Sequence, residues 1–251
     1  MGPKQIMKKV IIISNNAEAC GKTTLSTVLC AYFQRKQISH QLVVTSSEQE
    51  LPLPTVLLDL EDSFPVHDLV DLIDHHEVVI IDCHTGGGDR LARAFERHHM
   101  DDILEELEAE LTVVIPVCQD SAVLLSAHEL AEQYARMGEF LVVHVPLAAD
   151  VPESWSTSSA RRILQRLGAM ELTMPALTDG IADLLDNLEL DLPLALSQRQ
   201  QLPRFVRHEL LSWEVNFCEN LRAADALLLP HSTGVNRGLR EDSVFGKALS
   251  I

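Results

Sequence analysis

The stretch that most constrains this chain is an apolar run followed by a glycine-lysine turn and a helix. Residues 10–13 (Val-Ile-Ile-Ile) read as a buried strand, and Leu25, Leu29 and Phe33 form one stripe of a helix over 22–36. Between them lies Ser14-Asn15-Asn16-Ala17-Glu18-Ala19-Cys20-Gly21-Lys22-Thr23-Thr24. A loop that leaves a strand and opens a helix aims its backbone N–H groups, and those of the first helical turn, into one volume that favours an anion. Gly21 lets the backbone approach that anion with no Cβ in the way. Lys22 supplies a cation for β- and γ-phosphates, Thr23 a hydroxyl ligand for Mg²⁺, and Thr24 a contact for an α-phosphate. The plainer alternative is a strand-turn-helix with an exposed Lys22. Asn16 stands where the G-x-x-x-x-G-K-[ST] pattern has its first Gly, and Asn enters the left-handed region at modest cost.

A second group of interest follows Val78–Asp82, an apolar run without period-2 polarity and therefore a central strand. Asp82 ends that strand, where open α/β sheets bind ligands, and can organise Mg²⁺ together with Thr23. His84-Thr85-Gly86-Gly87-Gly88 comes next. The glycines suggest a mobile backbone that changes shape with the phosphate state, and His84 either touches phosphate or fills the loop.

Further strands are expected over 42–45, 56–59, 112–117, 140–145 and 171–174, with helices over 67–73, from 88 to 107, over 122–137 and over 158–167. Strand–helix alternation of this kind specifies an α/β fold: a mainly parallel sheet flanked by helices on both faces. From Thr178 the pattern is helical, interrupted at Pro193 and Pro203, with segments over 180–188 and 204–229. Residues 1–230 read as a single nucleotide-binding domain that includes these C-terminal helices, and 231–251 as a loosely held extension.

Composition narrows the function. Lys plus Arg number 20 against 37 Asp plus Glu, a net charge of -17, so non-specific DNA binding is not expected. The five cysteines form no C-x-x-C pair and read as reduced thiols, in keeping with a cytoplasmic protein. No apolar run reaches membrane length. His75-His76 and His98-His99 read as solvated helix ends rather than metal ligands. The acids between Asp101 and Glu110 read as a solvated face.

The stretch Cys20-Gly21-Lys22-Thr23-Thr24-Leu25, the strand Val78–Asp82 and the alternating layout resemble the ParA/MinD superfamily of P-loop ATPases. The first looks like the end of its deviant Walker A motif and the second like its Walker B strand. Met174-Pro175-Ala176-Leu177 resembles the family's late strand and loop, which places Pro175 beside the base. Within the superfamily, the chain is loosely similar to plasmid-stability and conjugation members of the StbB and TraL types. The resemblance implies a SIMIBI-like P-loop fold that takes ATP or ADP with Mg²⁺. Asn16, Ala17, Glu18, Ala19, Cys20, Gly21, Lys22, Thr23, Thr24 and Pro175 would hold the nucleotide. Lys22 and Asp82 would act in catalysis, and Thr23 and Asp82 at the metal. It also implies a protein partner and a nucleotide-dependent homodimer.

Two departures stand out. The family's signature lysine, five positions before the P-loop lysine, falls on Ala17. The region of its switch acid is Thr45-Ser46-Ser47-Glu48 by spacing, or Asp59-Leu60-Glu61-Asp62 by content. Nucleotide binding with slow hydrolysis is therefore expected, in plasmid maintenance, conjugation or intracellular positioning. The alternatives are an ATP-dependent ligase similar to dethiobiotin synthetase and a catalytically silent nucleotide-binding module.

Overall fold

The computed structural model describes residues 6–46, 53–60, 64–118, 120–146 and 153–232. The chain opens with β1 (Ile6–Ile13), α1 (Lys22–Arg35), β2 (His40–Val44), β3 (Thr55–Leu57), α2 (Val66–His75) and β4 (Val78–Asp82). It continues through α3 (Gly87–Arg97), α4 (Met100–Glu106), β5 (Ala109–Val117), α5 (Ser121–Tyr134) and β6 (Gly138–His144). Then come α6 (Glu153–Thr157), α7 (Ser159–Arg166), β7 (Met170–Thr173), α8 (Asp179–Asn187), α9 (Leu192–Ser197), α10 (Arg204–Leu221), α11 (Asp225–Leu228) and β8 (His231–Ser232).

Among the described residues the sheet has eight strands: seven in the order β3-β2-β4-β1-β5-β6-β7, every neighbouring pair parallel, and β8, which pairs antiparallel with the start of β1. The apolar runs explain its centre. In β1 and β4 successive side chains alternate between two cores: Val10, Ile12, Val79 and Ile81 on one face, Ile11, Ile13, Val78 and Ile80 on the other. Both faces are covered, so both strands are apolar throughout. The first face carries α2, α3, α5 and α7, through Leu69, Phe95, Leu130 and Leu164. The second carries α1, α8, α9, α10 and α11, through Leu29, Leu185, Leu196, Phe217 and Leu228. The C-terminal helices thus complete the layer that α1 begins, as a helical portion of the same fold.

Several details differ from the sequence reading. The long helix expected over 204–229 stops at Leu221 and tightens into a 3₁₀ turn at Arg222–Ala224 before α11. There the Thr112 hydroxyl donates to the Leu227 carbonyl at 2.7 Å, and Asp225 bonds Tyr32 and Lys36, pinning the chain to β5 and α1. Pro193 was expected to break a helix, but it sits in the first turn of α9, where its missing N–H costs nothing. Neither α6 nor β8 was foreseen. Beyond Ser232 the expected extension lies outside the described residues. Lys9 is 1 % exposed and meets Glu110 at 2.5 Å and Glu139 at 3.6 Å, the pairing that a buried ammonium requires. No helix among the described residues is long and apolar enough to cross a membrane.

Candidate functional site

The loop between β1 and α1 emerges at the C-terminal edge of the sheet, beside the end of β4; Ile13 and Asp82 are register partners. From there α1 leaves on one face and α3 on the other, the divergence that opens a crevice in doubly wound sheets. Gly21 caps α1 with φ 88°, and a Cβ on it would meet Val145 Cγ1 and Cγ2 at 3.2 Å. Positive φ and close approach together require glycine there. The first-turn N–H groups of α1 have no earlier carbonyl of the helix to bond, which makes its start an anion-binding end.

Lys22 is 9 % exposed. Its ammonium bridges the loop, donating to the carbonyls of Ala17 at 2.6 Å and Asn15 at 2.8 Å, with Cys20 Sγ at 3.6 Å. The lysine therefore shapes the loop as well as charging it. Burial raises the Cys20 thiol above its ordinary value against the opposing pull of Lys22. Burial, then the Asp82 carboxylate, pushes Cys30 up to about 12 and raises Cys83 as well. All five cysteines are buried and reduced, and these three stay protonated, which argues against thiolate chemistry at the site.

A cleft of about 830 Å³ opens over the loop, lined by residues 18–24, Ser46, His84, Thr85 and, from the C-terminal portion, Asp191, Leu192 and Pro193. Seven of the expected nucleotide-binding residues, Glu18, Ala19, Cys20, Gly21, Lys22, Thr23 and Thr24, share this surface. Glu18 and Ala19 are exposed on it. Thr45 Oγ1 accepts from the His84 backbone N–H at 3.0 Å and lies 2.8 Å from His84 Nδ1. That pair of contacts ties the end of β2 to the loop after β4.

The remaining expected residues lie elsewhere. Asn16 and Ala17 stand behind the cleft, their N–H groups taken by Ser126 Oγ at 2.7 Å and Asn15 Oδ1 at 3.0 Å. Asn16 is not left-handed; the loop's positive φ outside glycine falls on Ala19, at 51°. Asp82 is wholly buried beneath the loop, where Oδ2 accepts from Ser26 Oγ at 2.8 Å; Ser26 also bonds the Thr23 carbonyl at 2.9 Å. It does not line the cleft. Pro175 lines a separate groove of about 200 Å³, its carbonyl accepting from the Trp213 indole at 2.7 Å.

The glycines after His84 form the start of α3. Gly86 has φ 74° and caps α3, while Gly87 and Gly88 are buried in its first turn. A Cβ on Gly87 would lie 2.8 Å from His84 Nδ1, and one on Gly88 2.0 Å from Ser14 Oγ. These residues let α3 lie flush against the loop between β1 and α1. Of the two stretches considered for a switch acid, Ser47, Glu48, Glu61 and Asp62 lie outside the described residues, and Asp59 is exposed.

Sequence reasoning missed Ser26, Asp89 and Ser126, which bond Asp82 and Asn16, and took Thr45 only as the start of a candidate switch-acid stretch, whereas it bonds His84. It also missed Glu171, which accepts from His144, Trp155 and Arg161 at 2.9, 3.0 and 3.2 Å at the end of β6. His99, Asp101 and Asp102 bring ligand atoms within 4.8 Å of one another, all exposed.

No family model matches the sequence, and no curated protein matches it. Solved structures do. The MinD cell division protein of Aquifex aeolicus aligns with TM-score 0.45 at 12 % identity, over 83 % of this chain and 95 % of that one. McdA of Cyanothece, in complex with ATP, aligns with TM-score 0.47 at 9 % identity, over 89 % and 97 %. The signal recognition particle 54 kDa protein of Aeropyrum pernix, in complex with GDP, aligns with TM-score 0.42 at 16 % identity, over 90 % of this chain and 51 % of that one.

Proposed function

We propose that this protein binds a nucleoside triphosphate, ATP by the family resemblance, with Mg²⁺, and hydrolyses it slowly as a conformational switch of the ParA/MinD type. The observation that carries the reading is the loop itself. Gly21 is left-handed at the start of α1, and the Lys22 ammonium spans the loop beneath a cleft walled by the first helical turn. That is an anion site whose charge and N–H groups come preassembled.

The residues fit a bound Mg²⁺ in part. Thr23 lies on the cleft and would hold the ion; Asp82 lies below it and would act through Ser26 and the Thr23 turn. The ion would neutralise phosphate charge. Lys22 would bind the β- and γ-phosphates, and His84, which lines the cleft, would donate to the terminal phosphate. In the tautomer whose Nδ1 accepts the Thr45 hydroxyl proton, the ring would carry its own proton on Nε2. Slow turnover follows because phosphoryl transfer depends on charges aimed at the moving group. Besides Lys22, the charged residues of the cleft among the described residues are Glu18 and Asp191, both acidic. The same two carboxylates disfavour a carboxylate co-substrate, and hence a ligase.

A nucleotide-dependent homodimer or a protein partner would supply the missing cation. The process served, in plasmid maintenance, conjugation or positioning, rests on the resemblance. The test is calorimetry with Mg-ATP followed by a steady-state hydrolysis assay. Binding by the wild type that Lys22→Ala loses is the expected result; equal affinity in both removes the reading.

A further inference from the structure

Asn16 occupies the first position of the loop pattern, and its surroundings explain why an amide stands there. Its Nδ2 donates to Asp89 Oδ1 at 2.6 Å, and Gln133 Nε2 donates to the same oxygen at 3.1 Å. Its backbone N–H donates to Ser126 Oγ at 2.7 Å. Asp89 belongs to the first turn of α3, and Ser126 and Gln133 belong to α5. The start of the nucleotide loop is thereby fastened to two helices of the opposite layer, α3 and α5. Close packing reinforces the joint. Gly88 lies so near β1 that a Cβ would fall 2.0 Å from Ser14 Oγ and 3.2 Å from Asn16 Oδ1. The Tyr134 hydroxyl donates to the Gly88 carbonyl at 3.3 Å from the far end of α5.

A carboxylate accepting two amide N–H bonds is a strong, directional anchor, since bonds to a charged acceptor exceed neutral ones. It does not line the cleft, so it would act on nucleotide through Asn16. Asn16 is next to Ala17, whose carbonyl takes the Lys22 ammonium. The chain of contacts therefore runs from α3 and α5 through Asp89 and Asn16 to Ala17 and Lys22.

We propose that Asp89 is a positioning residue for the phosphate loop: through Asn16 it holds the loop in its binding shape and couples that shape to α3 and α5. This rests on the nucleotide-binding reading above. It accounts for a loop that departs from glycine at its first position, because Gly there would have no side chain for Asp89 to hold. It also gives the loop a mechanical output, since a loop displaced by phosphate must move Asn16 against α3.

Two readouts test the proposal on the full chain. The first is Mg-ATP affinity by calorimetry for wild type, Asp89→Ala, Asp89→Asn, Asn16→Gly and the Asn16→Gly/Asp89→Ala double variant. Asp89→Ala should weaken binding about tenfold, the scale of one charge-assisted hydrogen bond. Asp89→Asn keeps an acceptor oxygen and should recover most of that loss. In the Asn16→Gly background Asp89→Ala should change nothing further. An equal loss in both backgrounds, or no loss in the wild-type background, overturns the proposal. The second readout is amide hydrogen exchange of residues 15–21 without nucleotide. Asp89→Ala should speed exchange there in wild type and not in Asn16→Gly, and unchanged exchange overturns the anchor. Should wild type fail to bind Mg-ATP, the nucleotide reading falls, while the exchange measurement still decides whether Asp89 holds the loop.

Discussion

Replacing Gly88 by alanine adds one methyl group at the most crowded of the described glycines. The new Cβ would fall 2.0 Å from Ser14 Oγ and 3.1 Å from Leu130 Cδ2. The neighbours have little room to give. Ser14 and Leu130 are both 0 % exposed, and α3 is held against the sheet by Leu91 and Phe95, also 0 % exposed. Overpacking of this kind costs about 1–3 kcal/mol, and a separation this short belongs at the upper end. Alanine's better helix propensity returns up to about 1 kcal/mol, leaving a net loss of roughly 2 kcal/mol. For a domain of this size that lowers Tm by about 4–8 °C. The assay is thermal unfolding followed by far-UV circular dichroism, with denaturant unfolding as a second measure. Ser14→Ala removes the clashing oxygen, so adding it to Gly88→Ala should restore most of the loss. Gly180→Ala is the control: the site is an exposed helical glycine with open space around it, and alanine should stabilise by a few tenths of a kcal/mol to about 1. A Gly88→Ala protein as stable as wild type, or a double variant with no recovery, would refute the close docking of α3 on β1.

Lys22→Ala should weaken Mg-ATP binding by about 1.5–3 kcal/mol, and should also lower Tm, because the ammonium holds the Asn15 and Ala17 carbonyls; calorimetry and thermal unfolding read the two effects separately. Burial alone would raise the Glu171 pKa, but hydrogen bonds from His144, Trp155 and Arg161 outweigh it and hold the carboxyl below its ordinary 4.5. A carboxylate depressed on folding contributes stability that is complete above the unfolded value and lost as pH falls through the folded one. Glu171→Gln should therefore be less stable at neutral pH and lose less on acidification below 4.5, measured by denaturant unfolding across that range. Fluorescent duplex DNA at about 0.15 M salt, where screening acts beyond about 8 Å, should show no binding to a chain of net charge -17, and micromolar affinity would reveal a basic surface.

What could be read in advance was whatever is written locally. β1 and β4 are unbroken apolar runs because each is buried on both faces, and the turn between β1 and α1 is specified by Gly21-Lys22-Thr23. What could not be read depends on partners distant in the chain. Gly88 looks like a flexible hinge until Ser14 is seen against it, and Asn16 looks like a tolerated substitution until Asp89 is seen beside it. Asp82 was correctly placed at the end of β4, but its hydroxyl partner, Ser26, is one helical turn past the threonine that the motif singles out. The two-residue strand β8 and the burial of Lys9 by Glu110 and Glu139 follow from sheet neighbours, which no local periodicity encodes.

The pairing of β8 with β1 has an engineering consequence. Ile6 faces Ser232 and Met7 faces His231 in antiparallel register, so the two ends of the described chain share one ladder. A circular permutant needs only a short splice there, well within the reach of a few flexible residues. New ends could be cut at the turn after α8, where Glu189 is exposed with φ 53°. Such a cut moves the covalent link between the β-rich body and helices α9–α11 from the turn after α8 to the splice between β8 and β1, while keeping every parallel strand neighbour. If the permutant assembles, the cover over α1 docks without its native link to α8, and the same cut made without the splice would give two pieces for a split reporter that leaves the loop between β1 and α1 untouched.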